Sequence, residues 1–261
     1  MYVKPKKHLG QHFLTDQNIA RRIAEALTAE RASSVLEVGP GTGVLTRYLL
    51  QRPNIELYAA EVDTESIAYL HENYPTLSPR LFEGDFLQMD LASLFPQGVS
   101  LIGNFPYNIS SQIFFKVLEN RDLIPEVVGM IQREVAVRLA EPPGSRDYGI
   151  LSVFLQAFYD IEYLFTVHEG VFNPPPKVKS AVIRLTRNQV QRLDCDEALF
   201  TKVVKTTFNQ RRKTIRNSLR SAFPLLKEGE EHPFFALRPE RLSVAQFCEL
   251  TRWLAQQLSL R

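Results

Sequence analysis

Short apolar runs alternate with longer amphipathic segments through the first two thirds of this chain. Five of the runs have the length and apolar content of buried strands; they cover residues 33–39, 55–63, 80–85, 99–104 and 126–132. Helical patterns follow four of them, and strands separated by helices pair in parallel because the chain crosses back over the sheet between them. The alternation therefore predicts an α/β fold, with a Rossmann-like, mostly parallel sheet and helices on both faces.

The predicted helices cover residues 43–51, 64–74, 110–119 and 133 to about 140. Serine and threonine favour the start of a helix because their hydroxyl oxygen accepts a hydrogen bond from a free backbone N–H. We expect Thr64 or Ser66 to cap the second helix, and Ser110 or Ser111 to start the third.

The pattern changes in the last third of the chain. A helix is expected from about Tyr148, and residues 158–167 and 177–186 have the apolar content of two more strands, antiparallel at one edge of the sheet. After a change of composition, only helical patterns remain. We predict two domains, residues 1–187 with the sheet and residues 188–261 as a small all-helical domain, of a size at which docking on a larger domain aids folding.

Charged residues are distributed unevenly, although the formal net charge is only +2. Residues 201–221 carry seven Lys or Arg and no acidic residue, and the first 22 residues carry five bases against one acid, Asp16. Two basic clusters on a nearly neutral chain indicate localised surfaces for a polyanion. The alternative, a solvated helix face, explains one basic cluster alone better than it explains two.

The composition gives no sign of a membrane-bound or secreted protein. No apolar run approaches the roughly 18 residues of a membrane span, and the basic N-terminus lacks the apolar core of a secretory signal. Cys195 and Cys248 are too few for a disulfide framework and lie far apart in sequence, so we expect two small buried thiols and no metal site. These features predict a cytoplasmic protein.

A glycine-rich turn, EVGPGTG at residues 37–43, lies where the first strand passes into the first helix. Gly39 and Gly41 let the backbone turn tightly and approach a ligand. The spacing G-x-G-x-G differs from the G-x-G-x-x-G of dinucleotide sites, and no Gly-Lys-Ser/Thr follows, as phosphate-loop NTPases require. Glu37 would repel phosphates and suit a cationic ligand. Several classes of nucleotide site share such a turn, so its neighbours have to identify the ligand.

Two acidic residues follow at positions that suit an adenosine. Glu61 ends the second strand, where a carboxylate can accept hydrogen bonds from both ribose hydroxyls. Asp85 ends the third strand, where it can accept a bond from the adenine amino group while Phe86 packs on the base. Either acid alone is typical of an exposed strand end. With the glycines, the acids predict one cleft for S-adenosylmethionine, which carries an adenosine and a sulfonium charge but no phosphate.

The fourth strand ends in GNFPYN (residues 103–108), whose two aromatic residues a plain turn does not need. The Asn104 side-chain oxygen and the Pro106 carbonyl can each accept an N–H bond from the exocyclic amine of a base. That geometry favours a tetrahedral nitrogen with a localised lone pair. Tyr107 can stack on a flipped base and stabilise positive charge that develops on the nitrogen. The segment predicts an amino-methyltransferase that acts by positioning, without a strong general base.

Phe172 precedes three prolines in FNPPPKVKSAVIRL (residues 172–185). A stiff loop of this kind can present the Phe172 ring to the other face of the base. The alternative is a proline-braced hairpin with Phe172 in the core. The residues by themselves favour neither reading.

Five segments together resemble the KsgA (RsmA) family of ribosomal RNA adenine dimethyltransferases. They are KHLGQHFLTDQNI, EVGPGTGVLT, GNFPYNIS, FNPPPKVKSAV and FNQRRKTIRNSL, and they extend over nearly the whole chain. The resemblance implies a cytoplasmic enzyme that uses S-adenosylmethionine to dimethylate N6 of two adjacent adenosines in the 3′-terminal hairpin of 16S rRNA. It implies a late assembly intermediate of the 30S subunit as the partner, with neither membrane nor metal. We expect a monomer.

Residue patterns and the resemblance together assign three groups of site residues. The cofactor contacts are His12, Leu14, Gly39, Gly41, Glu61, Asp85, Phe86 and Asn104. The catalytic residues are Asn104, Pro106, Tyr107 and, as the second stacking aromatic, Phe172. Contacts to RNA phosphates are expected from Arg211, Arg212, Lys213 and Arg216. This makes residues 1–187 the methyltransferase domain and residues 188–261 the RNA-binding domain, with Arg212 and Arg216 on one face of a basic helix.

His12 stands where the family often has Asn. A histidine side chain can donate or accept a hydrogen bond, but its charge can change near neutral pH. We therefore expect a small loss of cofactor affinity at acidic pH, measured as the dissociation constant from about pH 5.5 to about pH 8. A dissociation constant that stays flat over this range would contradict the expectation.

Three alternatives remain. An Erm-type enzyme would methylate one adenosine of large-subunit RNA with the same cofactor residues, although the FNQRRKTIRNSL segment favours the KsgA type. A non-catalytic RNA-binding factor that kept the fold would not need Asn104, Glu61 and Asp85. An NAD-dependent reductase is disfavoured by the glycine spacing and by the lack of a recognisable Tyr/Lys or His catalytic set.

Overall fold

The computed structural model describes residues 3–223 and 231–259 and contains a seven-stranded sheet and a two-stranded ladder. The strands in chain order are β1 (Phe13–Leu14), β2 (Ser34–Val38), β3 (Glu56–Glu61), β4 (Leu81–Glu83), β5 (Ser100–Asn104), β6 (Glu126–Gln132), β7 (Tyr159–Val167), β8 (Phe172–Asn173) and β9 (Ser180–Arg187). The large sheet has the order β4-β3-β2-β5-β6-β9-β7. Strands β2 to β6 pair in parallel, and β9 and β7 add antiparallel strands at one edge. The predicted mostly parallel α/β sheet is confirmed.

The strand order reverses between β2 and β5. From β2 the chain adds β3 and β4 on one side, and from β5 it adds β6 on the other. At such a switch point the connections leave the sheet on opposite sides, which opens a crevice beyond the carboxyl ends of the central strands. The predicted glycine turn and the GNFPYN segment both start at this crevice.

Ten α-helices lie among the described residues, and none of them is both long enough and apolar enough to cross a membrane. They are α1 (Gln17–Ala26), α2 (Thr46–Leu49), α3 (Thr64–Asn73), α4 (Leu91–Leu94), α5 (Ser110–Glu119), α6 (Arg133–Ala140), α7 (Ile150–Gln156), α8 (Glu197–Asn209), α9 (Ile215–Ala222) and α10 (Val244–Ser259). The ladder of β1 with β8 was not predicted, because strands of two residues show no period. Helix α1 was also missed, although Ala20, Ile23 and Ala24 have helical spacing and are buried on one face.

The cap of α3 differs from the prediction. Asp63, rather than Thr64 or Ser66, precedes the helix, and its carboxylate accepts a hydrogen bond from the Glu65 N–H. The Ser66 hydroxyl instead donates to Asp63 at 2.8 Å. Helix α5 begins at Ser110 as predicted, but without a side-chain cap.

The described chain divides into two compact units, a sheet unit and a helical unit. The sheet unit comprises Met1–Ala136 and Tyr159–Asn188, and the helical unit comprises Val137–Phe158 and Gln189–Arg261. The predicted division at residues 187 and 188 is close to the last of these breaks. It missed, however, that Val137–Phe158 groups with the C-terminal helices.

Aromatic packing explains why Val137–Phe158 belongs to the helical unit. Tyr148 packs against Phe208 and Phe154 against Phe200, each with ring centroids 6.2 Å apart. Phe247 of α10 completes this core, 6.0 Å from the Phe208 ring and 6.5 Å from the Phe200 ring. These side chains are distant in sequence, so a composition change at one point in the chain could not reveal the grouping.

Phe105 of the GNFPYN segment is fully buried under the central strands. Two glycines make room for its ring: a Cβ added at Gly129 would lie 2.5 Å from the ring, and one added at Gly103 would lie 2.9 Å from it and 2.5 Å from the Val38 carbonyl oxygen. The side chain of Phe105 therefore anchors the segment, while its neighbours face the crevice.

We expect Gly129→Ala to destabilise the protein by about 1–3 kcal/mol, because the added methyl group must displace the buried Phe105 ring or the strands around it. Urea denaturation of the variant and the wild type measures this difference in the free energy of unfolding. Gly84→Ala is the matched control, since no atom lies within 4 Å of a Cβ added there. An equally stable Gly129→Ala variant would show that the packing around Phe105 is loose.

Candidate active site

One cavity of about 250 Å³ lies at the carboxyl ends of the central parallel strands. Gly39 follows β2, Glu61 ends β3, Asp85 follows β4 and Asn104 ends β5, and all four line the cavity. Parallel strands bring such residues to the same edge of a sheet, although the sequence separates them widely. The four positions chosen from the sequence therefore share one site.

The glycine turn forms one wall of the cavity. Gly39 and Gly41 have φ angles of +69° and +56°, a left-handed conformation in which a side chain is strained. A Cβ at Gly41 would also lie 2.8 Å from the Phe13 ring. The N–H of Gly41 donates a hydrogen bond to the Glu61 carboxylate at 2.9 Å, so the turn and β3 are joined directly.

Glu61 is buried and accepts three backbone hydrogen bonds, each 2.9 Å long, from the N–H groups of Gly41, Val62 and Asp63. Burial raises the pKa of Glu61, and these N–H groups oppose that rise by stabilising the charged form. A carboxylate has about four lone-pair positions, so Glu61 keeps about one position, on the oxygen that accepts from Gly41, for a ligand hydroxyl group.

Glu37 does not face the main cavity, contrary to the expectation that it would meet a cationic ligand. It lines a smaller neighbouring cavity, is 1% exposed, and accepts a 2.6 Å hydrogen bond from the Thr46 hydroxyl. Burial raises the pKa of Glu37 to about 8, and the nearby Glu61 adds to the rise. Glu37 is therefore mostly neutral at pH 7 and serves to join β2 to α2.

The raised pKa of Glu37 predicts a pH dependence of stability. The group binds its proton more tightly in the fold, at about pH 8, than at its ordinary value of 4.5, so its contribution is most favourable below pH 4.5 and is lost as the pH rises toward 8. Relative to Glu37→Gln, which mimics the neutral carboxyl group, the wild type should lose up to about 1.4 kcal/mol of unfolding free energy per pH unit in this range. Urea denaturation at a series of pH values measures the difference, and a constant difference would contradict the prediction.

Asp85 and Phe86 lie together at the far end of the cavity. Asp85 is exposed and accepts a hydrogen bond from the Leu87 N–H at 2.9 Å, while the Phe86 ring is buried. The Lys116 ammonium group donates to the Leu87 and Met89 carbonyl groups at 2.9 and 2.7 Å. This tie fixes the short turn that carries both predicted adenine contacts.

Asn104 ends β5 and lines the cavity. Its amide nitrogen donates to the His12 carbonyl at 2.9 Å, which fixes the orientation of the amide. The oxygen accepts no hydrogen bond from any residue that the structure describes. The Pro106 carbonyl accepts one bond, from the Ile109 N–H at 3.2 Å, and keeps a second lone pair. Asn104 and Pro106 both line the cavity, and the prediction that their two acceptors meet one amine stays a prediction.

Tyr107 is held on two sides. Its hydroxyl lies 2.5 Å from the Ser180 hydroxyl, and its ring stacks on the His12 ring with centroids 5.5 Å apart. Burial raises the pKa of the Tyr107 phenol, so the group stays neutral at physiological pH. No local pattern indicates a role for Ser180, because that role depends on a neighbour 73 residues away in the chain.

His12 joins three segments of the site. Its Nδ1 lies 2.8 Å from the Pro174 carbonyl, and since a carbonyl only accepts, Nδ1 carries the proton. Its ring stacks on Tyr107 and its own carbonyl holds Asn104. The expected cofactor contact at His12 is compatible with this position, because His12 lines the cavity.

The segment before His12 is also tied to the site, through a pairing that the sequence pattern did not reveal. Lys6 forms an ion pair with the buried carboxylate of Asp63, to which Gln11 and Ser66 also donate. Burial opposes ionisation of Asp63, but these three partners outweigh it and hold its pKa below the ordinary value. The segment with Lys6 and Gln11 is therefore fixed beside the end of β3, and Gln11 lines the cavity there.

Leu14 and Phe172 do not line the main cavity. They are paired in the ladder of β1 and β8, are 3% and 4% exposed, and belong to the hydrophobic core. For Phe172 this is the proline-braced core position that the sequence left as the alternative. Stacking of Phe172 on a base would require the ladder to open, because the ring is packed among apolar side chains.

The predicted basic helix is wrong. Arg211, Arg212 and Lys213 lie in the turn between α8 and α9, and only Arg216 is on a helix. Thr214 has an extended conformation (φ −70°, ψ 158°), which interrupts the helical path between them. Arg212 and Arg216 therefore share no helix face.

Two of the four basic residues are held inside the helical unit. Arg211 donates to the Arg146 carbonyl and lies 3.8 Å from Glu240, and Arg216 forms an ion pair with Glu231. Their charges are thus partly neutralised by local partners.

Arg212 and Lys213 differ from these two. Both side chains are exposed, and neither charged group pairs with an acidic residue anywhere in residues 3–223 or 231–259. They are the members of the cluster whose charge is available to an external anion.

The charge of the cavity restricts its ligand. Two acidic residues, Glu61 and Asp85, line it, whereas no Lys or Arg among the described residues does. A ligand with phosphate groups would meet carboxylates without a compensating cation. The cavity suits a polar ligand that is neutral or positively charged.

The chain matches a family model described as ribosomal RNA adenine dimethylase over residues 3–256. It is 59% identical over 254 residues to a ribosomal RNA small subunit methyltransferase A from Parabacteroides distasonis, covering 95% of this chain and 93% of that one. It is 57% identical over 258 residues to the protein of the same name from Porphyromonas gingivalis, covering 98% and 100% of the two chains.

Two solved structures share the fold over most of their length. A dimethyladenosine transferase from Plasmodium falciparum aligns with a TM-score of 0.78 at 23% identity, over 94% of this chain and 98% of that chain. The 23S rRNA methyltransferase ErmE aligns with a TM-score of 0.66 at 28% identity, over 92% and 99%.

Proposed function

The chain belongs to the ribosomal RNA adenine dimethylase family, and on this premise we propose that it transfers methyl groups from S-adenosylmethionine to N6 of adenosines in 16S rRNA. The observation that carries the proposal is that Asn104, whose side-chain oxygen accepts no hydrogen bond from a described residue, lines the same cavity as Glu61 and Asp85. The target is two adjacent adenosines of the 3′-terminal hairpin, which receive four methyl groups in all.

The donor set of the cavity fits S-adenosylmethionine, which supplies an electrophilic methyl group on a sulfonium. Glu61 would accept a hydrogen bond from a ribose hydroxyl group at its remaining acceptor position, and Asp85 and Phe86 would hold the adenine. Gly39 and Gly41 have no side chain that would obstruct the ligand. The absence of Lys and Arg from the described lining matches a ligand without phosphate. The residues present therefore fit this cofactor better than a dinucleotide.

The chemistry of the transfer rests on positioning. The exocyclic amine of adenine is a weak nucleophile because its lone pair is delocalised into the ring. Asn104 Oδ1 and the Pro106 carbonyl would each accept one N–H bond, which turns the lone pair toward the methyl group. Tyr107 would stack on the base with the ring face opposite His12 and stabilise the charge on the alkylated nitrogen.

The RNA contacts involve the helical unit. Arg212 and Lys213 are exposed and have no acidic partner within residues 3–223 and 231–259, so their charges would bind phosphates without reading the base sequence. The substrate is a late assembly intermediate of the 30S subunit, which places the reaction in the cytoplasm. The relatives named ribosomal RNA small subunit methyltransferase A support this target over a large-subunit one.

The test is incorporation of labelled methyl from S-adenosylmethionine into 30S subunits that lack the modification. We expect close to four methyl groups per 30S subunit and none in 50S subunits. Label in 50S subunits would favour the Erm-type alternative, which the fold of ErmE keeps open. Binding to 30S subunits without any incorporation would favour a non-catalytic assembly factor.

A further inference from the structure

Three potential metal ligands meet in the helical unit. Asp194 and Cys195 lie just before α8, and Cys248 lies on α10. One ligand atom of each, two sulfurs and a carboxylate oxygen, all lie within 4.8 Å of one another. None of the three lines the cavity, so methyl transfer gives them no role. Their separation in sequence explains why we expected two isolated thiols.

The donor set is specific in its chemistry. Thiolates select soft or borderline cations, and two thiolates with a carboxylate match Zn²⁺ rather than Mg²⁺ or Ca²⁺. Tetrahedral coordination with Zn–S bonds of about 2.3 Å would place the two sulfurs about 3.7 Å apart. The ligand atoms lie at most 4.8 Å apart, so the two sulfurs would have to approach each other by no more than about 1 Å to bind the ion. We propose that Asp194, Cys195 and Cys248 bind one Zn²⁺ ion, with water as the fourth ligand.

The exposure of the three residues agrees with a water ligand. Cys248 is 3% exposed, Cys195 is half-buried and Asp194 is exposed, so the cluster is open to solvent on one side. Arg252 forms an ion pair with Asp194. A carboxylate has two oxygens, so one can ligate the ion while Arg252 keeps the other.

Binding of the ion would have to deprotonate both thiols. Burial raises the pKa of Cys195, and it raises the pKa of Cys248 to about 12. Both thiols are therefore protonated at neutral pH and react slowly with oxidants. When the ion binds, two S–H bonds break, two Zn–S bonds form, and two protons pass to the buffer.

Bound Zn²⁺ would connect the start of α8 to α10. These two helices carry Phe200, Phe208 and Phe247, the aromatic core of the helical unit. An ion that binds only the folded unit stabilises it by mass action. Metal supply would thus affect the stability of the unit that carries Arg212 and Lys213.

The experiment uses the full chain, reduced with a phosphine and freed of metal by chelation. Co²⁺ is titrated as the spectroscopic probe, and Zn²⁺ is then added in competition. We expect saturation at one ion per chain, absorption from thiolate-to-cobalt charge transfer, and loss of this signal with Zn²⁺. A 100-fold excess of Zn²⁺ over its dissociation constant should raise the apparent melting temperature by about 5 °C.

Cys195→Ser is the informative variant, because the half-buried side chain can be replaced without disturbing the core. We expect its affinity for Co²⁺ to fall more than about 100-fold, since it loses a ligand. Glu249→Gln is the matched control, an exposed acid next to Cys248 and outside the cluster, and it should bind like the wild type.

Three results would overturn the proposal. They are no saturable Co²⁺ uptake by the wild type, equal uptake by Cys195→Ser, and recovery of a Cys195–Cys248 disulfide from a chain that takes up no metal. Activity on RNA is not needed as a readout, so the outcome is independent of the proposed methyl transfer.

Discussion

Asn104→Ala is expected to lower the rate of methyl transfer by at least about 10²–10³-fold while the protein stays folded. The variant removes a side-chain oxygen of a cavity-lining residue that accepts no hydrogen bond from a described residue, and with it an acceptor for the amine. The lone pair of the base then stays delocalised, so the loss should appear in kcat. Affinity for S-adenosylmethionine should change little, because Glu61 and Asp85 remain.

Single-turnover transfer to 30S subunits, with cofactor affinity measured separately, distinguishes these effects. Asn73→Ala is the matched control, an exposed asparagine at the end of α3 that bonds only to the Tyr69 carbonyl among the described residues. Asn104→Asp keeps an acceptor but loses the N–H that donates to His12, so its rate should fall between those of the wild type and Asn104→Ala. Equal rates for Asn104→Ala and the wild type would remove Asn104 from the mechanism.

Reversal of the two exposed charges, Arg212→Glu with Lys213→Glu, is expected to weaken binding to 30S subunits strongly. Each phosphate contact contributes roughly 0.7–0.9 to the slope of log affinity against log salt concentration. Loss of two contacts should therefore lower the slope by about 1.5 and reduce affinity by about 10–100-fold at low salt. Cofactor affinity should not change, because no residue of the turn lines the cavity.

Comparison of variants with different charges separates the electrostatic effect on binding from structural damage to the turn between α8 and α9. Arg212→Gln with Lys213→Gln removes the charges without adding opposite ones, so it should show the same slope but a smaller loss of affinity. Arg216→Gln tests a basic residue that already has an acidic partner, Glu231. This variant should change the stability of the protein more than its affinity for 30S subunits. Parallel losses of subunit and cofactor binding would count against an RNA-binding role for the turn.

The sequence predicted the strands and the edge of the sheet that holds the site, because both depend on local patterns. β6 occupies residues 126–132 as expected, and Glu61, Asp85 and Asn104 line the same cavity. A buried run between helical segments leaves the chain few alternatives, and the carboxyl ends of parallel strands must then meet.

The errors and omissions concern features that depend on tertiary contacts and burial. Phe172 is buried by its pairing with Leu14, and Tyr107 is fixed by Ser180. Glu37 is mostly neutral because burial raises its pKa, and local composition cannot indicate that burial. The break between α8 and α9 likewise overrides a helical pattern.

The hydrogen bond between His12 and Pro174 affects the order in which the chain can fold while the ribosome synthesises it. The two residues are 162 positions apart, and the same closure brings β1 to β8. A nascent chain that emerges from its N-terminus first can form β2 to β5 early, but it cannot complete this wall of the cavity. Contacts of such long range also slow folding, because a large loop must close before they form. The nascent chain therefore cannot complete the cavity until the proline loop has left the ribosome.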